Sequence, residues 1–272
     1  MEGKIFIDVM CMDFFKHLFG KHAESGETEN SVAITGSVVP VEEEITSGET
    51  VEEKPELPSP VLPYSGVDFH VLLDNGHASS TPGKRQQLSN GKYFFEYEFN
   101  RDVVRRIAEK LDVLGIPYEI LVPEVDEDIA LSTRAARANS FCTKYGTNNC
   151  FFISVHSNAY GDGKTFTSAK GWSVWTTKGG DKSDEYATKM FNVASEILPK
   201  YGMTTRADNS DNDPDYEENY TVIYKTWCPA ILTENMFFTN KKEVEWLLTD
   251  EGRDAIAEIH VEGIKRIINS RQ

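Results

Sequence analysis

Three short stretches of this chain run apolar and then stop on a side chain that can bind a metal or move a proton. VLLDNGH (71–77) ends on His77, FFISVHSN (151–158) reaches His156, and PAILTENMFF (229–238) reaches Glu234. Ligands of open parallel sheets collect beyond the carboxyl ends of the strands, so three such endings point to one shared site. A fourth residue joins them through helical spacing. In the segment 93–114 the apolar stripe Val103, Ile107, Leu111 and Leu114 extends back through Asn100 to Glu96, whereas Glu98 falls with Asp102, Arg105 and Glu109 on the wet face. Glu96 therefore points inward, where a charge is costly unless it is paired or holds a metal.

Two histidines and one carboxylate are a common catalytic zinc set, with a fourth position left for water. His77, Glu96 and His156 meet that count. Zinc held this way lowers the pKa of a water to about 7 and polarises a carbonyl oxygen. Amide cleavage needs a proton shuttle as well, because nitrogen leaves poorly unless protonated. Glu234 shares its strand face with Leu232 and Ala230, a setting that raises a carboxyl pKa, and is the expected general base and acid. The bland alternatives are hydrogen-bonded loop histidines and a Glu234 paired with Arg134 or Arg206. Asn100 and Asn158 are expected behind the ligands, orienting them by hydrogen bonds. Spacings of 19 and 60 residues carry little weight by themselves, since no local pattern ties the ligands together.

Positioning these residues takes strands and helices in alternation. Strands are expected at 67–74, 118–122, 151–156, 171–177, 221–225 and 229–234. Helices are expected at 93–114, 128–145, 183–201, 241–248 and 252–269. The alternation predicts an α/β fold, a single domain with a central mostly parallel or mixed sheet flanked by helices. Arg134, Arg137 and Asn139 are expected to brace a helix against that sheet, and Trp172, Trp175 and Tyr186 to be core. The acidic stretch 208–219 reads as a loop.

Charge divides the 272 residues unevenly. The net charge is -16, and residues 1–66 hold thirteen acidic side chains against four lysines, so -9 of it lies in that first quarter. Ile5, Val9, Met12 and Phe15 suit a short amphipathic helix over 1–22, expected to dock on a protein partner. Residues 23–66 are rich in Glu, Ser, Thr and Pro, unable to bury enough apolar surface to offset ordering, and are expected to form a disordered acidic linker. The catalytic domain is expected over 67–272. No basic run is present to bind nucleic acid, and no stretch approaches the roughly 20 apolar residues of a membrane span. Cys11, Cys142, Cys150 and Cys228 form no C-x-x-C; reduced, buried thiols are expected, with a Cys142–Cys150 bridge open in an oxidising space.

Five ordered motifs add a resemblance. LLDNGH, EYEFN (96–100), LSTRAARAN (131–139), SVHSNA (154–159) and PAILTENMFFTN (229–240) resemble, in order, the motifs of the zinc-dependent N-acetylmuramoyl-L-alanine amidases of bacterial walls and phages. The likeness spans 67–268. It implies zinc ligands at His77, Glu96 and His156, a catalytic Glu234, and a reaction that cuts the amide between N-acetylmuramic acid and L-alanine of the stem peptide. Asn75 stands where the family has proline, Ala78 and Ser79 where it has glycines, and Met236 where it has glycine, which bears on the rim and on substrate preference. A zinc peptidase acting within the stem peptide, or a non-catalytic wall-binding or assembly module, are the alternatives. With no evident signal peptide, synthesis in the cytoplasm and phage-type release to the wall are expected.

Overall fold

A computed structural model of the protein describes residues 62–271. The expected helix over 1–22 and most of the expected linker lie outside the described residues, as does the partner assigned to that helix. Chain order runs β1 (His70–Asn75), β2 (Arg85–Gln87), β3 (Tyr93–Phe95), α1 (Glu96–Leu114), β4 (Tyr118–Ile120), α2 (Leu131–Tyr145), β5 (Cys150–Asn158), β6 (Ser173–Thr176), α3 (Lys182–Ile197), β7 (Tyr216–Glu217), α4 (Thr221–Tyr224), β8 (Ala230–Phe237), α5 (Lys241–Leu247) and α6 (Asp250–Asn269). Six strands form one sheet in the order β4-β1-β5-β8-β6-β7, and β2 pairs with β3 in a separate antiparallel ribbon. Only the β6–β8 pairing in the large sheet is antiparallel, so the sheet is mixed but mostly parallel.

The central strand β5 reads as a near-continuous apolar run because both of its faces are covered. Phe151, Ile153 and Val155 enter the larger core with α1, α3 and α6, while Cys150 and Phe152 enter a second core with α2 and α4. By the same alternation Leu72, Leu232 and Ala230 face α2 and α4. His156 and Glu234 continue that face past the last apolar side chain, which puts both at the carboxyl end of the sheet.

Several elements differ from the sequence expectation. Residues 221–225 form a helical turn instead of a strand, because Val222 and Ile223 are both buried in one core and a strand would send neighbours to opposite faces. The first helix starts at Glu96, and the three residues before it pair with β2. The second helix starts at Leu131, and the third expected helix gives way to a 3₁₀ turn over Leu198–Tyr201 at Pro199. Helix α1 stops at Gly115, whose φ of 73° is the left-handed cap that glycine adopts without penalty. The segment just before β1 packs there: Tyr64 N–H donates to Leu114 O at 2.9 Å, so the chain is held from ahead of residue 67.

Cys142, Cys150 and Cys228 are buried and unbridged. Among the described residues no helix is long and apolar enough to cross a membrane.

The face of β8 opposite Glu234 is pinned by a buried imidazole. His260 of α6 donates from Nδ1 to Ile256 O (2.8 Å) and accepts at Nε2 from the Thr233 hydroxyl (3.0 Å), a neutral ring with both nitrogens used. Burial lowers its pKa from 6.5 to about 4, against the opposing pull of the Ile256 carbonyl. The stability this confers is complete above pH 6.5 and falls toward pH 4, where the unfolded chain takes a proton that the folded chain refuses. The shift corresponds to about 3 kcal/mol. Urea unfolding of the parent and of His260→Gln should show an advantage to the parent near neutrality that shrinks by about that amount at pH 4; a gap independent of pH would refute it.

Candidate metal centre

Two histidine rings and one carboxylate converge where β1, β5 and α1 meet. Glu96, the first residue of α1, is 2% exposed. Its Oε2 lies 3.4 Å from His77 Nε2 and its Oε1 lies 3.1 Å from His156 Nδ1. The Ser157 amide donates to the same Oε1 at 3.2 Å. The two rings stand edge to face with centroids 4.8 Å apart. Burial alone would raise the Glu96 carboxyl, but the His77 charge and the hydrogen bonds from His156 and His77 outweigh it and hold the pKa well below the ordinary range. Burial moves His156 the other way, lowering it toward the neutral imidazole that binds metals.

Each ligand-grade residue is fixed from behind. His77 has φ 63°, a left-handed backbone that a residue with a Cβ rarely holds without support. That support comes from α1: Arg101 donates to His77 O at 2.7 Å, and Asn100 Nδ2 donates to Gly76 O at 3.0 Å. Beneath the loop, Arg134 of α2 is buried against Asp74 at 2.9 Å and also holds Asn75 O, while Ser154 donates to the other Asp74 oxygen at 2.6 Å. Removing one partner of such a buried pair costs about 3–5 kcal/mol. His156 is held through its carbonyl by Asn235 Nδ2 at 2.8 Å, and Asn235 Oδ1 accepts from Trp172 Nε1 at 2.6 Å. The chain then turns at Met236, φ 67°, where the left-handed region favours glycine.

Glu234 stands directly across from His156 in the β5–β8 register. Among the described residues no cation pairs with Oε2, which is sealed from solvent without a hydrogen-bond partner. Arg134 is taken by Asp74 and Asp128, and Arg206 lies over the Tyr216 ring, so neither expected alternative pairing with Glu234 is formed. Burial, with the Glu96 charge behind it, pushes the Glu234 carboxyl well above its usual range.

The donor set fits a divalent ion. Ligand atoms of His77, Glu96 and His156 all lie within 4.8 Å of one another. Two ligands of a tetrahedral zinc stand ~3.3 Å apart by their bond lengths, close to the 3.1 and 3.4 Å separations here. Two imidazoles and one carboxylate are the ligand classes of zinc rather than of calcium or magnesium.

Asn100 reaches the loop below His77, as described. Asn158 does not reach the cluster: its Oδ1 accepts from its own neighbour Ala159 N at 2.8 Å, because the β5 register slips beyond His156. Asn235, Arg101 and Gly76 were not singled out by the sequence. Asn235 and Arg101 sit next to recognised positions and look like ordinary polar residues there. Gly76 looks like a turn residue, yet its φ is unremarkable; a Cβ there would lie 2.1 Å from His156 Cε1. The imidazole packs flat on that glycine.

An α/β domain that gathers two imidazoles and two carboxylates at the carboxyl ends of its central strands has the parts of a hydrolase. The chain belongs to the N-acetylmuramoyl-L-alanine amidase family of peptidoglycan hydrolases, whose sequence profile matches residues 71–266. It is 29% identical to the endolysin of Bacillus phage SPP1 over 206 residues, covering 74% of this chain and 67% of that one. With the sporulation-specific N-acetylmuramoyl-L-alanine amidase of Bacillus subtilis (strain 168) the identity is 24%, over 74% of this chain and 69% of the relative. The crystal structure of N-acetylmuramoyl-L-alanine amidase from Clostridium difficile 630 superposes with a TM-score of 0.61 at 25% identity, covering 75% of this chain and 98% of that one.

Gly76→Ala is expected to force the His156 ring off its seat and weaken zinc retention about 10–100-fold, the cost typical of disturbing what orients a ligand. Competition of the purified variant against a colorimetric chelator measures this. Retention equal to the parent's would mean that the ring has room to spare.

Proposed function

We propose that the chain hydrolyses the amide between N-acetylmuramic acid and the L-alanine of the stem peptide, using zinc held by His77, Glu96 and His156 and proton transfer by Glu234. The observation that carries this is the convergence of those three ligand-grade side chains beside a buried carboxyl that, among the described residues, has no ion-pair or hydrogen-bond partner at Oε2. A zinc ion held there supplies Lewis acidity for the scissile carbonyl and a water of lowered pKa. Glu96 contributes the one full negative charge of the ligand set, and its burial keeps that charge close to the metal position. Arg101 and Asn235 hold the main chain of the two histidines, so the rings do not have to be ordered when substrate arrives.

Glu234 is the proton carrier. The attacking water loses a proton to its carboxylate as oxygen joins the carbonyl carbon, and the same proton passes to the alanine nitrogen as the carbon–nitrogen bond breaks. A burial-raised carboxyl suits the second step, since it gives up its proton where the leaving amine needs one. The products are a free lactyl carboxylate on the sugar and a stem peptide with a new alanine amino terminus. Localisation at the wall follows from the substrate.

Digestion of purified murein tests the whole assignment. Free L-alanine amino termini should appear without new amino groups inside the stem, which separates the amidase from a peptidase. Glu234→Gln should lower turnover by about 10²–10⁴-fold while keeping its metal. His156→Ala should lose both metal and activity. Chelation should abolish hydrolysis and zinc restore it. Parent-like lysis by Glu234→Gln, or full activity in metal-free protein, would overturn the mechanism.

A further inference from the structure

On the β6–β7 edge of the sheet, away from the histidines in sequence and in strand order, a second group of carboxylates closes on itself. Asp184 comes from the first turn of α3, and Asp213 and Asp215 come from the loop that leads into β7. One carboxylate oxygen from each lies within 4.8 Å of the others. Asp215 is 1% exposed. Its Oδ2 accepts from Thr176 Oγ1 at 2.5 Å, but its Oδ1 is sealed from solvent with no hydrogen-bond partner. Asp213 Oδ1 is likewise buried without a partner. Asp184 Oδ2 accepts from Asp181 N–H in the capping box, and its Oδ1 accepts only from the Thr176 hydroxyl at 3.3 Å.

Among the described residues none of these three carboxylates forms an ion pair. The charges that act on Asp215 come from Asp213 and Asp184, and both are negative. Thr176 offers a single hydroxyl proton to two carboxylates, at 2.5 Å to Asp215 and 3.3 Å to Asp184. Buried polar atoms are otherwise satisfied almost without exception in folded proteins, and orphaned ones call for an ion, a water or a proton. Three converging carboxylates, two of which carry an orphaned oxygen, call first for a cation. The donors are all hard oxygens, the class that selects calcium, whose ligands at 2.3–2.6 Å can stand up to about 5 Å apart.

We propose that Asp184, Asp213 and Asp215 form a calcium-type divalent cation site, with the Thr176 hydroxyl oriented toward it. The ion joins the end of β6, the first turn of α3 and the acidic loop, and offsets the repulsion among the three carboxylates that meet there. Its role is to fix that loop, which continues through β7 into α4 and the second core.

Terbium tests the site directly, because Trp175 stacks on Tyr216 at 4.7 Å and these two rings are the sequence neighbours of Thr176 and Asp215. Excitation of the aromatic rings in the full chain, prepared with zinc and freed of excess ion, should sensitise terbium emission that calcium competes away. Asp213→Asn, a loop position, should weaken terbium binding at least tenfold, and calcium should raise the melting temperature of the parent but not of this variant. The proposal fails if no sensitised emission appears, if calcium leaves the parent's melting temperature unchanged, or if Asp213→Asn binds like the parent. It also fails if Asp215→Asn without calcium melts as high as the parent with it, since the orphaned oxygens would then be sharing a proton, not a metal.

Discussion

A carboxylate with almost no access to water sets the terms for the rest of this molecule. Glu96 opens α1, where the free amides of the first turn favour a negative charge, and both of its oxygens face imidazoles. A buried charge of this kind is tolerated only while its partners stay in place. The loop after β1, the end of β5 and the start of α1 are thereby tied to one point. Moving any of them leaves an unpaired ion in the interior.

The supporting layer reflects that demand. Arg134 and Asp74 form a buried ion pair that also takes up the Asn75 carbonyl, while Ser154 bonds the second Asp74 oxygen. On the other side Trp172, Asn235 and the His156 carbonyl form a second chain of bonds. Neither chain ends on a ring nitrogen of the two histidines. Both act on the backbone, which fixes where each ring begins and leaves the nitrogens to the cluster itself. The left-handed turns at His77 and Met236 are strained backbone that such bracing holds in place.

The ends of the three strands were legible in the sequence, because apolar runs that stop on His77, His156 and Glu234 announce both burial and direction. Glu96 was legible through helical period, as an acid at the start of a stripe that runs through Asn100 into Val103, Ile107 and Leu111. What could not be read depended on partners distant in the chain. Gly76 is needed for the ring of a residue 80 positions away, a contact that no local pattern encodes. The turn at Thr221–Tyr224 carries β-branched residues that favour strand, yet packing of Val222 and Ile223 in one core overrides that preference. Asn158 shows the converse: a polar residue two positions past a ligand-grade histidine should share its face, and a slip in register turns it away. The resemblance to a family fell on residues that period and strand face had already selected, and added the reaction, which spacing could not supply.

The two outer strands of the sheet are its shortest. β4 contributes three residues and β7 two, against nine in the central β5. An exposed border of unpaired peptide groups is a template on which a second chain can add, and natural proteins blunt it by keeping it brief. A parallel sheet is assembled from segments far apart in the chain and is slow to complete, so its borders stay open during synthesis. With so little border to copy, this sheet gives neighbouring molecules small purchase for fibre-like growth along its edges.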